Sequence, residues 1–117
     1  MAIAVVASGT QTAVIGTEHE LATSTTGKTY VLVVDCVNLV NWVAASSQLP
    51  DVVELRLYTK VLSGGAEGLA YIATYVGVQS TKIKYSVPVP ANISIKATLK
   101  QVSRVGVDFP WALLSID

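Results

Sequence analysis

Charged side chains are scarce in this chain, and the two signs balance. Only 14% of the 117 residues are Asp, Glu, Lys or Arg, and eight basic residues offset eight acidic ones. A chain without excess positive charge creates no field that attracts nucleic acid or an anionic bilayer. No apolar run approaches the roughly 20 residues that a membrane-spanning helix needs. The sequence therefore predicts no direct nucleic-acid binding and no membrane insertion.

Cysteine and histidine each occur once, which restricts the available chemistry. Cys36 cannot form an intrachain disulfide, and its apolar neighbours predict a small buried hydrophobe instead of a reactive thiol. His19 stands between Glu18 and Glu20, but alternation along a strand places both carboxylates on the face opposite the imidazole. We therefore expect no metal site, no cofactor and no acid–base pair around this histidine.

Two other fragments suggest chemistry but lack its context. Residues 27–29, Gly-Lys-Thr, match the end of a phosphate-binding loop, but that loop needs a glycine where this chain has Ala22, and a helix where an apolar strand follows. Asp35, Asp51 and Glu54 lie near apolar strands, yet nothing pairs two of them across a cleft, as a glycosidase requires. The chain is predicted not to be an enzyme, and a small β-sandwich enzyme is the least favoured class.

The clearest positive signal is near-strict alternation over residues 51–62. Apolar and polar side chains take opposite faces, with Val53, Leu55, Leu57 and Val61 on one and Glu54, Arg56, Tyr58 and Lys60 on the other. A period of two is typical of a strand with one buried and one solvated face. Leu55 and Leu57 are predicted core residues, together with Ile95 and Leu99 of a similar later segment.

The same period recurs along the chain between glycine, proline and polar clusters. Strands are predicted near residues 2–7, 12–15, 18–23, 30–39, 51–62, 69–79, 83–89, 93–99 and 110–116. Residues 30–39 are apolar on both faces and so predicted to be central, whereas Pro88 and Pro90 predict an edge or a bend. Without helical periodicity over three turns, the pattern predicts an all-β fold. The expected architecture is an antiparallel two-sheet sandwich of jelly-roll or Greek-key type, with a closed barrel as the alternative.

A chain of this length forms one domain. Residues 10–117 are expected to form the sandwich, with a turn at residues 8–10 and residues 1–9 as an N-terminal strand or extended arm. The first seven residues are apolar but lack the basic start of a signal peptide, so synthesis in a cytosol without export is expected.

Apolar residues make up 51% of the chain, which is more than a small core is expected to hide. The alternative is that small residues such as Ala and Val inflate this fraction. Trp111 is expected to be a core residue, whereas Trp42, in an irregular segment spanning residues 42–50, could equally lie at the surface and anchor a contact. The composition favours a partner surface and a small homo-oligomer, either a homodimer or a homotrimer.

An ordered set of short segments gives a resemblance to a known class of proteins. These segments are residues 27–30 (Gly-Lys-Thr-Tyr), 33–35 (Val-Val-Asp), 52–58 (Val-Val-Glu-Leu-Arg-Leu-Tyr), 70–71 (Ala-Tyr), 100–101 (Lys-Gln) and 109–111 (Phe-Pro-Trp). Over residues 16–116 the chain resembles the jelly-roll cement, or head decoration, proteins of tailed bacteriophages. It departs from them at residues 42–50, where a longer loop replaces a short Asn-Gly-Asp-type turn.

This resemblance implies a structural role on the outside of a capsid. The implied partners are the major capsid protein and further copies of the chain, after synthesis in the host cytoplasm. The N-terminal segment would suit strand addition onto a neighbour. The predicted contact residues come from this segment and the loop, and they are Ile3, Val5, Val6, Trp42, Val43 and Leu49. The alternative is a carbohydrate-binding or receptor-binding module of a virion, which would need Trp42 and tyrosines exposed on one platform.

Overall fold

Nine β-strands, without a helix, form the regular structure of residues 2–39, 50–103 and 106–116, the parts of the chain that the computed structural model describes. The strands are β1 (Ile3–Thr12), β2 (Glu18–Ser24), β3 (Lys28–Asp35), β4 (Val52–Thr59), β5 (Gly68–Val76), β6 (Ile83–Tyr85), β7 (Val89–Ala91), β8 (Ile95–Ser103) and β9 (Asp108–Ile116).

The strands pair antiparallel in two sheets. The five-stranded sheet has the order β1-β9-β3, and the short strands β6 and β7 both pair with β3 on its other side. The four-stranded sheet has the order β2-β8-β4-β5. Strands β1 to β4 alternate between the sheets, and counting β6 and β7 as one interrupted strand leaves four strands in each. This is the eight-stranded jelly-roll arrangement. The predicted all-β sandwich is confirmed.

The core lies between the sheets and is built by the alternation that the sequence indicates. Leu55 and Leu57 of β4 and Ile95 and Leu99 of β8 are all buried, as predicted. Facing them across the sandwich are Tyr30, Leu32 and Val34 of β3 and Phe109 and Leu113 of β9. Cys36 is also buried in this core, which confirms its expected role as a small hydrophobe.

Two local predictions are wrong. Strand β4 ends at Thr59, where it makes its last pair with Gly68, so Val61 lies in the turn and is 84% exposed instead of facing the core. Residues 8–10 do not turn, because β1 pairs with β9 without interruption and Gly9 lies opposite Trp111. A Cβ at position 9 would lie 3.6 Å from the indole ring, which is an ordinary van der Waals contact, so the packing here does not require glycine.

Pro88 and Pro90 lie at one edge of the five-stranded sheet, as predicted. β3 is central in its sheet, as its two apolar faces predict, and the segment with Pro88 and Pro90 forms the interrupted edge. Residues 3–9 belong to the same strand as residues 10–12, at the other edge of that sheet. Most of the predicted loop at residues 42–50 lies outside the described residues.

Candidate docking surfaces

The outer face of the four-stranded sheet carries a closed polar network centred on Glu18. Its carboxylate accepts hydrogen bonds from Tyr58 at 2.6 Å and Thr98 at 2.7 Å, and pairs with Arg56 at 3.1 Å. Arg56 also pairs with Glu54 at 2.7 Å. The hydrogen bond from Tyr58, followed by the bond from Thr98 and the charge of Arg56, holds the pKa of Glu18 below its ordinary value against a partial desolvation.

A second ion pair extends this network along the same face. Lys96 lies 3.1 Å from Glu67, and its ammonium sits 4.7 Å from the centre of the Tyr58 ring. The hydrogen bond to Glu67 raises the pKa of Lys96. Most of these groups pair with one another, although the buried Arg56 Nε has no hydrogen-bond partner among the described residues. The same face also carries the exposed Ile72 and Val76 of β5.

The outer face of the five-stranded sheet is apolar. Side chains that alternate with the buried residues of β3 and β9 point to this side, and the register aligns them with residues of β1 and β6. The cross-strand neighbours are Ile3 and Ile116, then Val5, Leu114 and Val31, then Ala112, Val33 and Tyr85. These eight residues are called the apolar face below. Ile3, Val5 and Tyr85 are exposed, Val31 is buried and the other four are half-buried, and the same rows also hold Ser8 and Thr29.

Charge is confined to one end of this sheet surface. Among the described strand residues pointing to this side, only Asp35 and Asp108 are charged, and both lie beyond the apolar rows. Each is held locally: Asp35 accepts a hydrogen bond from the backbone N–H of Val37, and Asp108 accepts one from the Thr12 hydroxyl. The rest of the surface offers a partner hydrophobic contact without a charge to desolvate.

The predicted contact residues divide between this surface and the undescribed loop. Ile3 and Val5 are 70% and 63% exposed on the apolar face, and Val6 is less exposed at a β-bulge in β1. Trp42, Val43 and Leu49 lie outside the described residues.

Sequence reasoning missed Tyr85, Leu114 and Ile116 as surface residues. Tyr85 is 64% exposed. The available signal was that β3 and β9 are apolar on both faces, which indicates burial on both sides. In this chain the second face meets no other element of the described residues, so the same pattern indicates an uncovered surface.

The residues considered for chemistry are dispersed. The His19 Nε2 accepts a hydrogen bond from the Val14 backbone at 2.9 Å. Burial raises the pKa of the Cys36 thiol to about 11. Asp51 is fully buried and accepts a hydrogen bond from Gln101, whereas Glu54 pairs with Arg56 in the charged network. Across the described ranges, no group of three or more His, Cys, Asp or Glu residues is placed to hold a metal ion.

Two surface concavities offer little more. One, of about 290 Å³, lies at the β4–β5 turn and is lined by small and aliphatic residues such as Val61, Leu62 and Leu69. The other, of about 490 Å³, includes Lys28 and Thr29 of the Gly-Lys-Thr triplet. Both residues lie at the start of β3, so the helix that a phosphate-binding loop requires is replaced by a strand.

The aromatic rings form no shared platform in the described part of the chain. Tyr71 and Tyr75 lean inward and pack against the core, as does Trp111, in agreement with its predicted core position. Tyr58 lies under Lys96 in the charged network, which leaves Tyr85 as the exposed ring. A sugar-stacking surface of several rings is therefore not assembled by these residues.

Comparisons with protein-family models, with curated proteins and with solved structures found no significant match. Within the ranges that the structure describes, there is also no helix long and apolar enough to cross a membrane.

Proposed function

We propose that this chain is a virion structural protein that binds the outside of a bacteriophage capsid and stabilises it by adding contacts between subunits. The observation that carries the proposal is the contrast between the two outer faces of the sandwich. One carries a charged network, with the exposed Ile72 and Val76 on β5, and the other is an apolar surface that gains free energy when it is covered. The apolar face is the proposed capsid-binding surface.

The resemblance of the sequence to cement proteins supplies the identity of the partner. Those proteins are jelly rolls, and the strand order of this chain agrees with that expectation. A jelly roll hosts many functions, so the fold alone does not select this one. The added weight comes from the surface, because a protein whose role is to cover subunit joints needs apolar area and no catalytic group.

The proposed mechanism is the addition of interface area. The apolar face spans four strand positions about 4.8 Å apart, so it covers a width of roughly 15–20 Å. A contact of this size buries less than a standard interface of about 1,600 Å² in total. On a shell, many copies bind to identical sites, so modest contacts at each site sum to a large stabilisation of the assembly. The major capsid protein is the proposed partner and the capsid exterior is the proposed location.

Binding to undecorated heads tests this proposal. Purified protein is mixed with heads that lack it, the heads are sedimented, and bound copies per head are counted. We expect wild-type protein to bind in capsid-scale copy number. Ile83→Glu and Tyr85→Glu, which put a charge on the exposed edge of the apolar side, are expected to reduce occupancy at least tenfold.

Thr74→Glu is the matched control, because Thr74 is exposed on the outer face of β5, in the charged sheet. It is expected to bind as wild type does. Equal binding by all three variants would show that the apolar face is not the contact surface. Absence of wild-type binding, or location of the protein at the tail tip in a few copies, would overturn the proposed function and favour the receptor-binding alternative.

A further inference from the structure

Two of the four edge positions in this sandwich are protected against pairing with another strand. β2 carries Glu18 and Glu20, and the β6–β7 edge carries Lys84 and Pro90. The edge of β5 has neither a charged residue nor a proline, and the ammonium of Lys84 lies 4.7 Å from the centre of the inward-leaning Tyr75 ring without covering that edge. Charges and prolines at an edge are the usual devices that keep sheets from joining.

The fourth edge, β1, has none of these devices. Its ten residues, Ile-Ala-Val-Val-Ala-Ser-Gly-Thr-Gln-Thr, include neither a charged residue nor a proline. Eight of the ten are exposed, and its strand pairing within the described residues is to β9 alone. The outer edge of β1 therefore presents a long row of backbone donors and acceptors beside exposed apolar side chains.

We propose that β1 pairs antiparallel with β1 of a second copy of this chain, across a two-fold axis perpendicular to the sheet. The two five-stranded sheets then become one continuous sheet, and both apolar faces point to the same side. This inference does not rest on the proposed capsid role, since it concerns the isolated protein.

A second copy fits this edge better than an unrelated strand for two reasons. An isologous pairing sets each residue against the same uncharged strand, so it needs no complementary charge from the partner. It also joins two apolar faces of modest width into one surface of about twice the area. A ten-residue strand spans roughly 33 Å, which is enough for a full ladder between the copies.

The fold also explains why β1 is free to pair in this way. None of the buried core residues lies within β1, whose inward positions hold small residues such as Ala4, Ala7 and Gly9. The strand therefore contributes edge and surface instead of core. The β-bulge at Val6 shifts the register against β9 and leaves the residues from Ser8 onward as a regular paired run.

Cysteine cross-linking of the full chain tests the pairing. Ser8→Cys and Thr10→Cys are the probes, and Ile83→Cys, at the protected edge of the same sheet, is the matched control. The native Cys36 is buried with a pKa raised to about 11, so it gives no background. Opposed strand residues lie 4.5–5.5 Å apart, within disulfide range. We expect rapid disulfide-linked dimers from at least one β1 probe and none from the control.

A charge-swap experiment fixes the symmetry. Ser8 lies near the middle of β1, so Ser8→Lys places two ammonium groups close together across the axis, and Ser8→Glu does the same with carboxylates. Each variant alone is expected to raise the dimer dissociation constant at least tenfold in sedimentation equilibrium, whereas an equimolar mixture of the two recovers dimers. Ile83→Lys, the control, should dimerise as wild type does.

Three results would overturn the pairing. They are wild-type protein that stays monomeric at tens of micromolar, an equimolar mixture that stays monomeric, or a Ser8→Cys probe that links only to a cysteine introduced at Thr74 of β5. The last result would indicate a head-to-tail ring instead of a two-fold dimer. None of them bears on head binding, so failure here and failure of the proposed function are separately visible.

Discussion

Single residues set the character of the two outer faces. Glu18 of β2 pairs with three side chains: Thr98 of the adjacent strand β8, and Arg56 and Tyr58 of the next strand, β4. It thereby converts a row of separate polar side chains into one network. On the other sheet, the equivalent outward positions hold aliphatic residues that cannot form such a network, and their surface remains hydrophobic.

The Glu18 network predicts a specific pH dependence of stability. The pKa of Glu18 is lowered on folding, so its stabilising effect is fully present above its ordinary pKa of 4.5 and is lost as the pH falls through the lower folded value. Glu18→Gln is expected to lower the free energy of unfolding by roughly 0.2–1 kcal/mol at pH 7, as for other partly exposed pairs. This deficit should shrink in urea titrations below pH 4.5.

Glu20→Gln is the matched control, since Glu20 is exposed on the same strand but lies outside the Glu18 network. Its difference from wild type should stay small at every pH. A deficit for Glu18→Gln that stayed constant down to pH 3 would show that the carboxylate is not stabilised in its charged form.

Leu57 tests the packing between the sheets. It is fully buried in the middle of β4, between β5 and β8. Leu57→Ala is expected to lower the free energy of unfolding by about 2–5 kcal/mol, because it removes buried methyl groups and leaves a cavity. Val61→Ala, in the exposed β4–β5 turn, should change it by less than about 0.5 kcal/mol. Equal effects in chemical denaturation would contradict the assignment of faces.

Alternation was sufficient to predict these inward residues, but not every buried one. Asp51 directly precedes β4 and is a polar residue, yet it is fully buried. Its partner Gln101 comes from β8, and the same glutamine accepts a hydrogen bond from the backbone N–H of Val107. A polar residue can be buried where a distant segment satisfies it, and that segment is not visible in the local pattern.

At the level of strands, the sequence predicts that a strand exists more accurately than it predicts the residues at which that strand begins and ends. The alternation over residues 51–62 continues past Thr59 into the β4–β5 turn, because aliphatic residues in a turn mimic the period of a strand. The glycine at position 9 had the reverse effect and suggested a turn within β1. The pairing of Gly9 with Trp111 in β9 shows that the strand continues through this position.

Because β1 lies at an edge of its sheet, we expect the sandwich to fold even when most of β1 is removed. Deleting residues 1–8 removes most of β1 but no core residue, and β9 keeps its pairing with β3. We expect the truncated chain to fold, with a lower melting temperature because Leu114 and Ile116 lose their neighbours Val5 and Ile3. Circular dichroism should retain its β-sheet spectrum. A chain that is unfolded at 25 °C would show that β1 is needed for the fold.

For the whole molecule, the informative property is the segregation of charge between its two outer faces. Composition alone gave a low charged fraction and suggested a partner surface, but it could not say where that surface lies. The location depends on which strands are neighbours, and strand order is set by long-range pairing that no local pattern records. Trp42, Val43 and Leu49 lie outside the described residues, so their contacts stay predictions.

The proposed role predicts that heads become more robust in proportion to occupancy. Each bound copy covers a joint between capsid subunits, so its contribution should add to those of the other copies. Heads titrated from empty to full occupancy are expected to release their DNA at steadily higher temperatures, measured with a DNA-binding dye during heating. Tyr85→Glu, added at the same concentration, should leave the release temperature near that of undecorated heads, and Thr74→Glu should raise it as wild type does.

If fully occupied heads released DNA at the temperature of bare heads, the chain would bind the shell without stabilising it, and the cement role would be wrong even though docking occurs.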